Sequence, residues 1–161
     1  MTWVIALLIL VLYAPAAEYI AHRWVMHVPG LGKGSWWRDH AVEHHRRGRN
    51  DINIEVSALT VVLTASPLFS LAIPLGWPWV ATLLMFCIFY AALWSSLHAA
   101  HHGMADSWLT RLPWYPVWKR YHERHHERPD RNFGAVFIYS DALFGTCHKQ
   151  KSGDRSDNTV H

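Results

Sequence analysis

Histidines are the residues whose type and spacing could do chemistry in this sequence. The tightest cluster is His122, His125 and His126, within the segment His-Glu-Arg-His-His. Residues three and four apart share a face of an α-helix, so these three imidazoles are predicted to turn toward one point. Converging imidazoles form a tridentate anchor for a transition metal. The first prediction is therefore a metal site.

Three further clusters precede this one, and eleven of the 13 histidines belong to the four clusters together. Each cluster lies at the end of an apolar run or just beyond one. The three earlier clusters are His22 with His27, His40 with His44 and His45, and His98 with His101 and His102. Four such clusters are more than ordinary exposed polar residues would explain. The rest of the chain is predicted to bring them together at a membrane surface.

The second cluster falls on a predicted short helix from Trp37 to about Arg47. His40 and His44 lie four apart and are expected to share a face. His45 points about 100° away from His44, so it could address a second metal. The adjacent histidines of the last cluster diverge by the same angle, which would let one helix bridge two metals.

Ten or eleven imidazoles suffice for two metals with about five ligands each. An almost all-histidine set is neutral and rich in nitrogen, which suits iron as well as zinc or copper. Two irons beside a lipid-accessible cleft could reduce O2 and attack an unactivated C–H bond. Redox-inert zinc would support only hydrolytic or structural roles, although it could replace iron in a structure.

Apolar helices must position these histidines. The chain is 51% hydrophobic and 17% charged, and the two kinds of residue are segregated. One bilayer crossing needs about 20 apolar residues. Three spans are predicted, from Trp3 to about Met26, from about Ile54 to Leu75, and from about Trp79 to His102. The predicted fold class is all-α, an integral-membrane helical bundle with a cytoplasmic histidine-rich helical cap.

The positive charges predict the orientation of this bundle. With the N-terminus outside, all 15 lysines and arginines and all four histidine clusters fall on the inner side, as the positive-inside rule expects. The predicted location is the inner (cytoplasmic) membrane. Residues 1–148 are predicted to form one membrane-bound domain, and residues 149–161 a polar, disordered tail. The positive-inside distribution accounts for the net charge of +3. The sequence contains no nucleic-acid-binding motif, so no nucleic-acid partner is expected.

Glu18 is a carboxylate deep in the first apolar helix, four residues before His22. Such a group is costly in lipid unless it faces a protein interior. Two interpretations stay open: Glu18 orients the His22 ring, or it pairs with a nearby arginine. Further along the chain, Phe86, Phe89 and Trp94 could line an apolar tunnel or simply face lipid.

Taken together, the clusters resemble the histidine boxes of the fatty acid hydroxylase/sterol desaturase superfamily of integral-membrane non-haem di-iron enzymes. The matching stretches are His22-Arg-Trp-Val-Met-His27, His40-Ala-Val-Glu-His-His45, His98-Ala-Ala-His-His102 and His122-Glu-Arg-His-His126. The segments Asn132-Phe-Gly and Ser140-Asp-Ala-Leu-Phe-Gly-Thr146 also look like the family's ending. The resemblance covers about residues 18–147.

The resemblance implies two iron ions as cofactor, held by ten ligands. The positions that match the family's ligands are His22, His27, His40, His44, His45, His98, His102, His122, His125 and His126. His98 and His102 form the i, i+4 pair of the third box, so His101 is taken as the extra histidine. The second box has one more intervening residue than the His-x-x-His-His form of some members.

The resemblance also implies an O2-dependent lipid hydroxylase, a monooxygenase that takes electrons from a ferredoxin- or cytochrome-type donor. The small size and the His-Arg-x-x-Met-His box are similar to bacterial β-carotene hydroxylases. The two closing segments look more like fatty acid and sphingolipid hydroxylases, and the third box lacks the His-Asp-Gly-Leu-Val-His form of the carotenoid branch. A fatty-acyl or sphingolipid substrate is therefore favoured, with carotenoid ring hydroxylation and lipid desaturation as alternatives.

Two other classes of protein fit less well. A non-catalytic metal-binding or metal-transporting membrane protein would need ionisable residues along its path, and the stretch from Val56 to Ser96 has none. A zinc hydrolase would need His-Glu-x-x-His, but the next histidine after His122 comes one position early. The electron donor is expected to bind a basic face of the protein. Alternatively, the arginines of that face only set the membrane topology or contact lipid headgroups. That face comprises Arg46, Arg47, Arg49, Arg120 and Arg124.

Overall fold

The computed structural model describes residues 2–29, 36–50 and 54–148. This part of the chain is helical and contains no strand, which confirms the all-α prediction. Its α-helices are α1 (Thr2–Ile20), α2 (Ile54–Ala72), α3 (Trp77–His101), α4 (Tyr115–Glu127) and α5 (Ser140–Leu143). A first π-helix (Ala21–Met26) continues α1, and a second π-helix (Arg38–His44) precedes α2. The predicted tail, residues 149–161, lies outside the described residues.

One helix of the described chain, α3, is long and apolar enough to cross a membrane. The stretch Val61–Leu75, which covers most of α2 and the short 3₁₀ turn after it, is apolar but shorter. The predicted arrangement of three spans with a cytoplasmic cap, and its orientation, therefore stay predictions.

The turn between α2 and α3 falls at Gly76, between the second and third predicted spans. Gly76 has φ of 99°, a backbone conformation that favours glycine, and Pro78 occupies the first turn of α3. The two helices pack through a small core of Ala65, Ala72, Leu83 and Cys87. This packing fixes the helical pair from which the third histidine cluster projects.

A second core lies at the histidine end of α3. Tyr90, Trp94 and Leu97 of α3 pack against Leu109 and Tyr115, and also against the closing segment of the chain. The closing segment is the stretch between α4 and α5, and its residues in this core are Ala135 and Val136. Burial of these side chains holds residues 109–136 against α3, which brings α4 beside the third histidine cluster.

Candidate metal centre

The ten predicted ligands lie in two groups of five. The first histidine group is His22, His27, His40, His45 and His125. The second histidine group is His44, His98, His102, His122 and His126. Within each group, one ring nitrogen from every residue lies within 4.8 Å of the others. Clusters far apart in sequence thus meet at one location, and each group could hold a metal ion.

The two π-helices explain how histidines five positions apart face one point. In an α-helix, residues five apart point about 140° away from each other. A π-helix closes i to i+5 hydrogen bonds, which brings such residues onto nearly one face. The backbone N–H of His45 donates to the carbonyl of His40 at 3.0 Å, as this geometry requires. His22 and His27 have the same spacing across the first π-helix.

The prediction that His40 and His44 face one metal while His45 addresses a second is wrong for this reason. His40 lies with His45 in the first histidine group, and His44 lies in the second. The sequence carried a signal for this pairing, because His22–His27 and His40–His45 both have four intervening residues. That spacing is unusual for an α-helical pair and typical of a π-turn.

The expected convergence of the α4 histidines on one point is also wrong. His125 belongs to the first group, whereas His122 and His126 belong to the second. The rings of His122 and His126 face each other one α-helical turn apart, and His125 points to another side. α4 therefore spans both groups, as the divergence of adjacent histidines predicts. His45 and His126 stack with ring centroids 4.2 Å apart, so the two groups are in contact.

The spacing of the ring nitrogens fits metal coordination. In the first group, Nε2 of His22 lies 2.9 Å from Nε2 of His40. In the second, Nε2 of His102 lies 2.9 Å from Nε2 of His122. Two nitrogens bound at right angles to one ion, each at about 2.1 Å, would lie about 3.0 Å apart. Nitrogen atoms this close, several to a group, are the arrangement that a shared cation stabilises.

Buried ring nitrogens in the second group need a partner. His98 is buried, and neither of its ring nitrogens has a hydrogen-bond partner among the described residues. Its ring stacks on Trp94 with centroids 4.8 Å apart, which fixes the ring plane. An unsatisfied buried polar group is destabilising. A bound metal would satisfy one of the two His98 nitrogens, so the residues present fit the metal that the sequence predicts.

Backbone carbonyls orient three of the rings. Nδ1 of His125 donates to the carbonyl of Arg131 at 2.7 Å, and Nδ1 of His44 donates to the carbonyl of Arg49 at 2.6 Å. Nδ1 of His22 donates in the same way to a carbonyl of the closing segment. A proton held on Nδ1 leaves the Nε2 lone pair free for a metal.

Burial keeps these imidazoles neutral. The pKa of His125 is held well below its usual value of 6.5, first by burial and then by the neighbouring imidazoles. Burial, followed by the proximity of His44, lowers the pKa of His102 to about 4 and that of His126 to about 3. Neutral imidazole is the form that binds metal, so the site is ready to coordinate at pH 7.

The metal-free protein is expected to lose stability on acidification. Above pH 6.5 these histidines are neutral in both the folded and unfolded chain. Below pH 6.5 the histidines of the unfolded chain become protonated, whereas His102 of the folded chain stays neutral because its pKa is about 4. Stability is therefore lost as the pH falls from 6.5 toward 4. Melting of the chelator-treated protein in detergent should show a midpoint about 5 °C or more lower at pH 5 than at pH 7.5. A midpoint that rises on acidification would contradict the burial of these rings.

Three histidines of the sequence remain beyond the ten that form the two groups. His101, the extra histidine of the third box, is buried, stacks on Tyr115 and on His122, and lies outside both groups. His148 lies after α5, and its backbone N–H donates to the Asn132 side chain at 2.7 Å. His161 is outside the described residues.

Glu18 makes neither of the two direct contacts considered for it. Its carboxylate contacts neither the His22 ring nor an arginine in the described part of the chain. It accepts a hydrogen bond from the Tyr90 hydroxyl at 2.5 Å. It also accepts from backbone amides of the closing segment, including Val136 at 2.8 Å. No local pattern in the sequence predicts these partners, because they are more than 70 residues away.

An apolar cavity lies between α1, α2 and α3. Small side chains such as Ala14, Ala17 and Ala65 line it, and Phe86 and Trp94 contribute to its wall as the sequence suggests. Phe89, the third aromatic considered for this role, points outward and is exposed. At the histidine end of the cavity, His22 forms part of the wall. Of the two groups, the first is the one that this cavity reaches.

A second cavity meets the first histidine group from another side. His27 and His45 lie in its wall, together with Trp37, Arg23 and Arg46. The first group is thus in contact with an apolar cavity through His22 and with a more polar cavity through His27 and His45.

These features define a class of protein: an all-helical chain with a membrane-length helix and a histidine site suited to two transition-metal ions. A family model described as fatty acid hydroxylase matches residues 7–146, and the chain belongs to this family. The family is membrane-associated, typically iron-dependent, and generally consists of lipid hydroxylases and desaturases. No curated protein and no solved structure matches the chain significantly.

Proposed function

We propose that this protein is a membrane di-iron monooxygenase that hydroxylates a C–H bond of a lipid, with a fatty-acyl or sphingolipid chain as the favoured substrate. The observation that carries the proposal is the apolar cavity whose histidine end is formed by His22 of the first histidine group. An apolar chain in this cavity would lie directly beside a metal-binding site.

The histidines would hold one iron ion in each group. Bound there, the two irons would supply the activation of O2 that C–H hydroxylation requires. The overall reaction takes the lipid, O2, two electrons and two protons, and yields the hydroxylated lipid and water. The protein's own contribution is a neutral, buried ligand set, which leaves the metals strongly Lewis acidic.

The cavity walls would select and orient the substrate. Alanines at positions 14, 17 and 65 leave room between the helices, and the apolar lining excludes water. Glu18 also lines the cavity, but its carboxylate is occupied by Tyr90 and backbone amides. These features support an unbranched acyl chain over a polar substrate.

Electrons would come from a ferredoxin- or cytochrome-type donor, which we place at the basic face on the cytoplasmic side. Arg46 lies in the wall of the second cavity, beside His45. Arg47 and Arg49 of this face pair with Glu43 at 2.8 and 3.8 Å, so part of its charge is already neutralised. An acidic donor would therefore meet Arg46 close to the first group. The N-terminus would lie outside the inner membrane, as the charge distribution predicts.

The test combines metal analysis with lipid analysis. The protein is expressed in a host supplemented with iron, purified in detergent and analysed for metals, while membrane lipids are compared with those of a host that expresses His122→Ala/His125→Ala. The expected result is about two irons per chain and an acyl lipid that gains one oxygen atom in the wild-type host alone.

Other outcomes would assign other functions. A lipid that loses two hydrogens would make the protein a desaturase, and an oxygenated carotenoid in a carotenoid-producing host would place it in the carotenoid branch. Two bound metals with no change in lipids or carotenoids would support the non-catalytic metal-binding alternative and overturn the proposal.

A further inference from the structure

Five consecutive backbone amides of the closing segment point at two buried carboxylates. This stretch, residues 133–137, is called the strap here. Phe133 and Gly134 donate to the Asp141 carboxylate at 2.9 and 2.7 Å. Ala135, Val136 and Phe137 donate to the Glu18 carboxylate, Val136 at 2.8 Å and Phe137 at 3.2 Å.

The strap has no helix or strand to satisfy its amides, so the carboxylates take the place of a hydrogen-bond ladder. Both carboxylates are buried, and both receive a further hydroxyl donor. Tyr90 donates to Glu18 at 2.5 Å, and Thr146 donates to Asp141 at 2.6 Å. Charge-assisted bonds of this kind are about twice as strong as neutral ones. The two acids therefore fix the strap at both ends.

The strap is also tightly folded at Gly134. A Cβ atom at this position would lie 2.6 Å from the Phe137 carbonyl oxygen, closer than real Cβ atoms approach. Glycine is thus required for the chain to turn back far enough for both carboxylates to reach their amides.

The fixed strap holds two rings of the first histidine group. The Phe133 carbonyl accepts from Nδ1 of His22, and the carbonyl of Arg131, two residues earlier, accepts from Nδ1 of His125. The Phe133 ring also packs edge-on against His22 and His27, with centroids 5.7 and 5.5 Å apart. Among the described hydrogen bonds and ring contacts, none joins the strap to the second histidine group.

We infer that Glu18 and Asp141 are positioning residues for the first metal: by fixing the strap they hold the proton on Nδ1 of His22 and of His125, so that both Nε2 atoms face the ion. This inference rests on the proposed function in that a metal must bind the first histidine group. It predicts an effect confined to one of the two metal sites, which a general loss of stability would not produce.

The experiment measures metal binding by Glu18→Gln and Asp141→Asn. A glutamine or asparagine keeps the shape but presents an NH2 group to amides that need an acceptor. Metal-free protein in detergent is titrated with Co²⁺, which reports imidazole coordination through its visible absorption. Wild type should bind two ions. Each variant should bind one ion with unchanged affinity and the other about 10- to 100-fold more weakly, the usual cost of removing such an outer partner. Glu127→Gln, an exposed carboxylate at the end of α4, is the matched control and should bind as wild type.

Double variants assign the weakened site. Glu18→Gln should have no further effect on metal binding in a His125→Ala protein, whose first group is already broken. In a His122→Ala protein, Glu18→Gln should weaken the one remaining ion. Equal weakening of both ions, or weakening in the His125→Ala background alone, would overturn the inference.

Two further variants change the strap without altering either carboxylate. Tyr90→Phe, the milder one, removes one donor to Glu18 and covers a loss of folding in the acid variants, and Gly134→Ala forces the strap apart at its turn. Both should weaken the same single ion, and an effect on the other ion would count against the strap. A wild-type protein that binds no Co²⁺ would refute the proposed function itself, whereas two tight ions in wild type and in every strap variant would refute the inference alone.

Discussion

His125→Ala is expected to reduce bound iron from about two ions per chain to about one, and to lower hydroxylation on the order of 10³-fold or more, about 4 kcal/mol in activation free energy. His125 is fully buried, and its Nε2 lies 3.1 Å from Nε2 of His27 in the first histidine group. Alanine removes one of five donors and leaves a hole that water would enter. Because the apolar cavity reaches this group through His22, loss of its ion removes the metal beside the substrate.

The measurement is iron per chain together with product formation in the host membrane. His148→Ala is the matched control, since His148 belongs to neither group and contacts the site region through its backbone. It should retain two irons and full activity. His122→Ala should also lose one ion, but from the second group. If His125→Ala and the double variant His122→Ala/His125→Ala held the same amount of iron, the division into two groups would be wrong.

Ala17→Phe is expected to lower lipid hydroxylation about 100-fold or more while both metal ions stay bound. Ala17 lines the apolar cavity between α1, α2 and α3 and belongs to neither histidine group. A phenyl ring fills space that the acyl chain would occupy. Overpacking costs about 1–3 kcal/mol of stability, which is too little to unfold a typical domain.

Iron content and the amount of hydroxylated lipid check this prediction. Leu12→Phe adds an aromatic ring to the same helix at a position that is 75% exposed, and it should leave product formation unchanged. A series at position 17 from Ala to Val to Phe should show a graded loss. Full activity in Ala17→Phe would show that the substrate does not reach His22 through this cavity.

The helices and the histidine clusters could be predicted from the sequence because both depend on local patterns. Apolar runs between charged segments mark α1, α2 and α3, and the Gly76 turn separates the last two. The histidines stand out because ionisable groups are rare beside apolar helices and here occur in clusters. Each of the ten histidines named from the sequence lies in one of the two groups.

The division of the histidines between two groups was decided by the tertiary structure. An α-helical reading places His40 with His44, whereas the second π-helix places His40 with His45. A π-helix is rare and occurs mostly where the surrounding fold or a functional site stabilises it, so local sequence does not decide between i+4 and i+5 hydrogen bonds. The assignment of His125 and His126 to different groups likewise depends on the position of α4 between its neighbours.

The contacts around the site also could not be predicted without the tertiary structure. The sequence identifies Glu18 as an unusual buried acid, but its partners are Tyr90 and amides more than 100 residues away. The same holds for the cavity, whose wall combines residues of three helices. Sequence alone thus determined which residues are candidate metal ligands and which segments are helical, since neighbours along the chain set both. Which imidazoles share an ion, what orients them and where an apolar chain could enter are properties of contacts between distant segments, and only the packed structure fixes those.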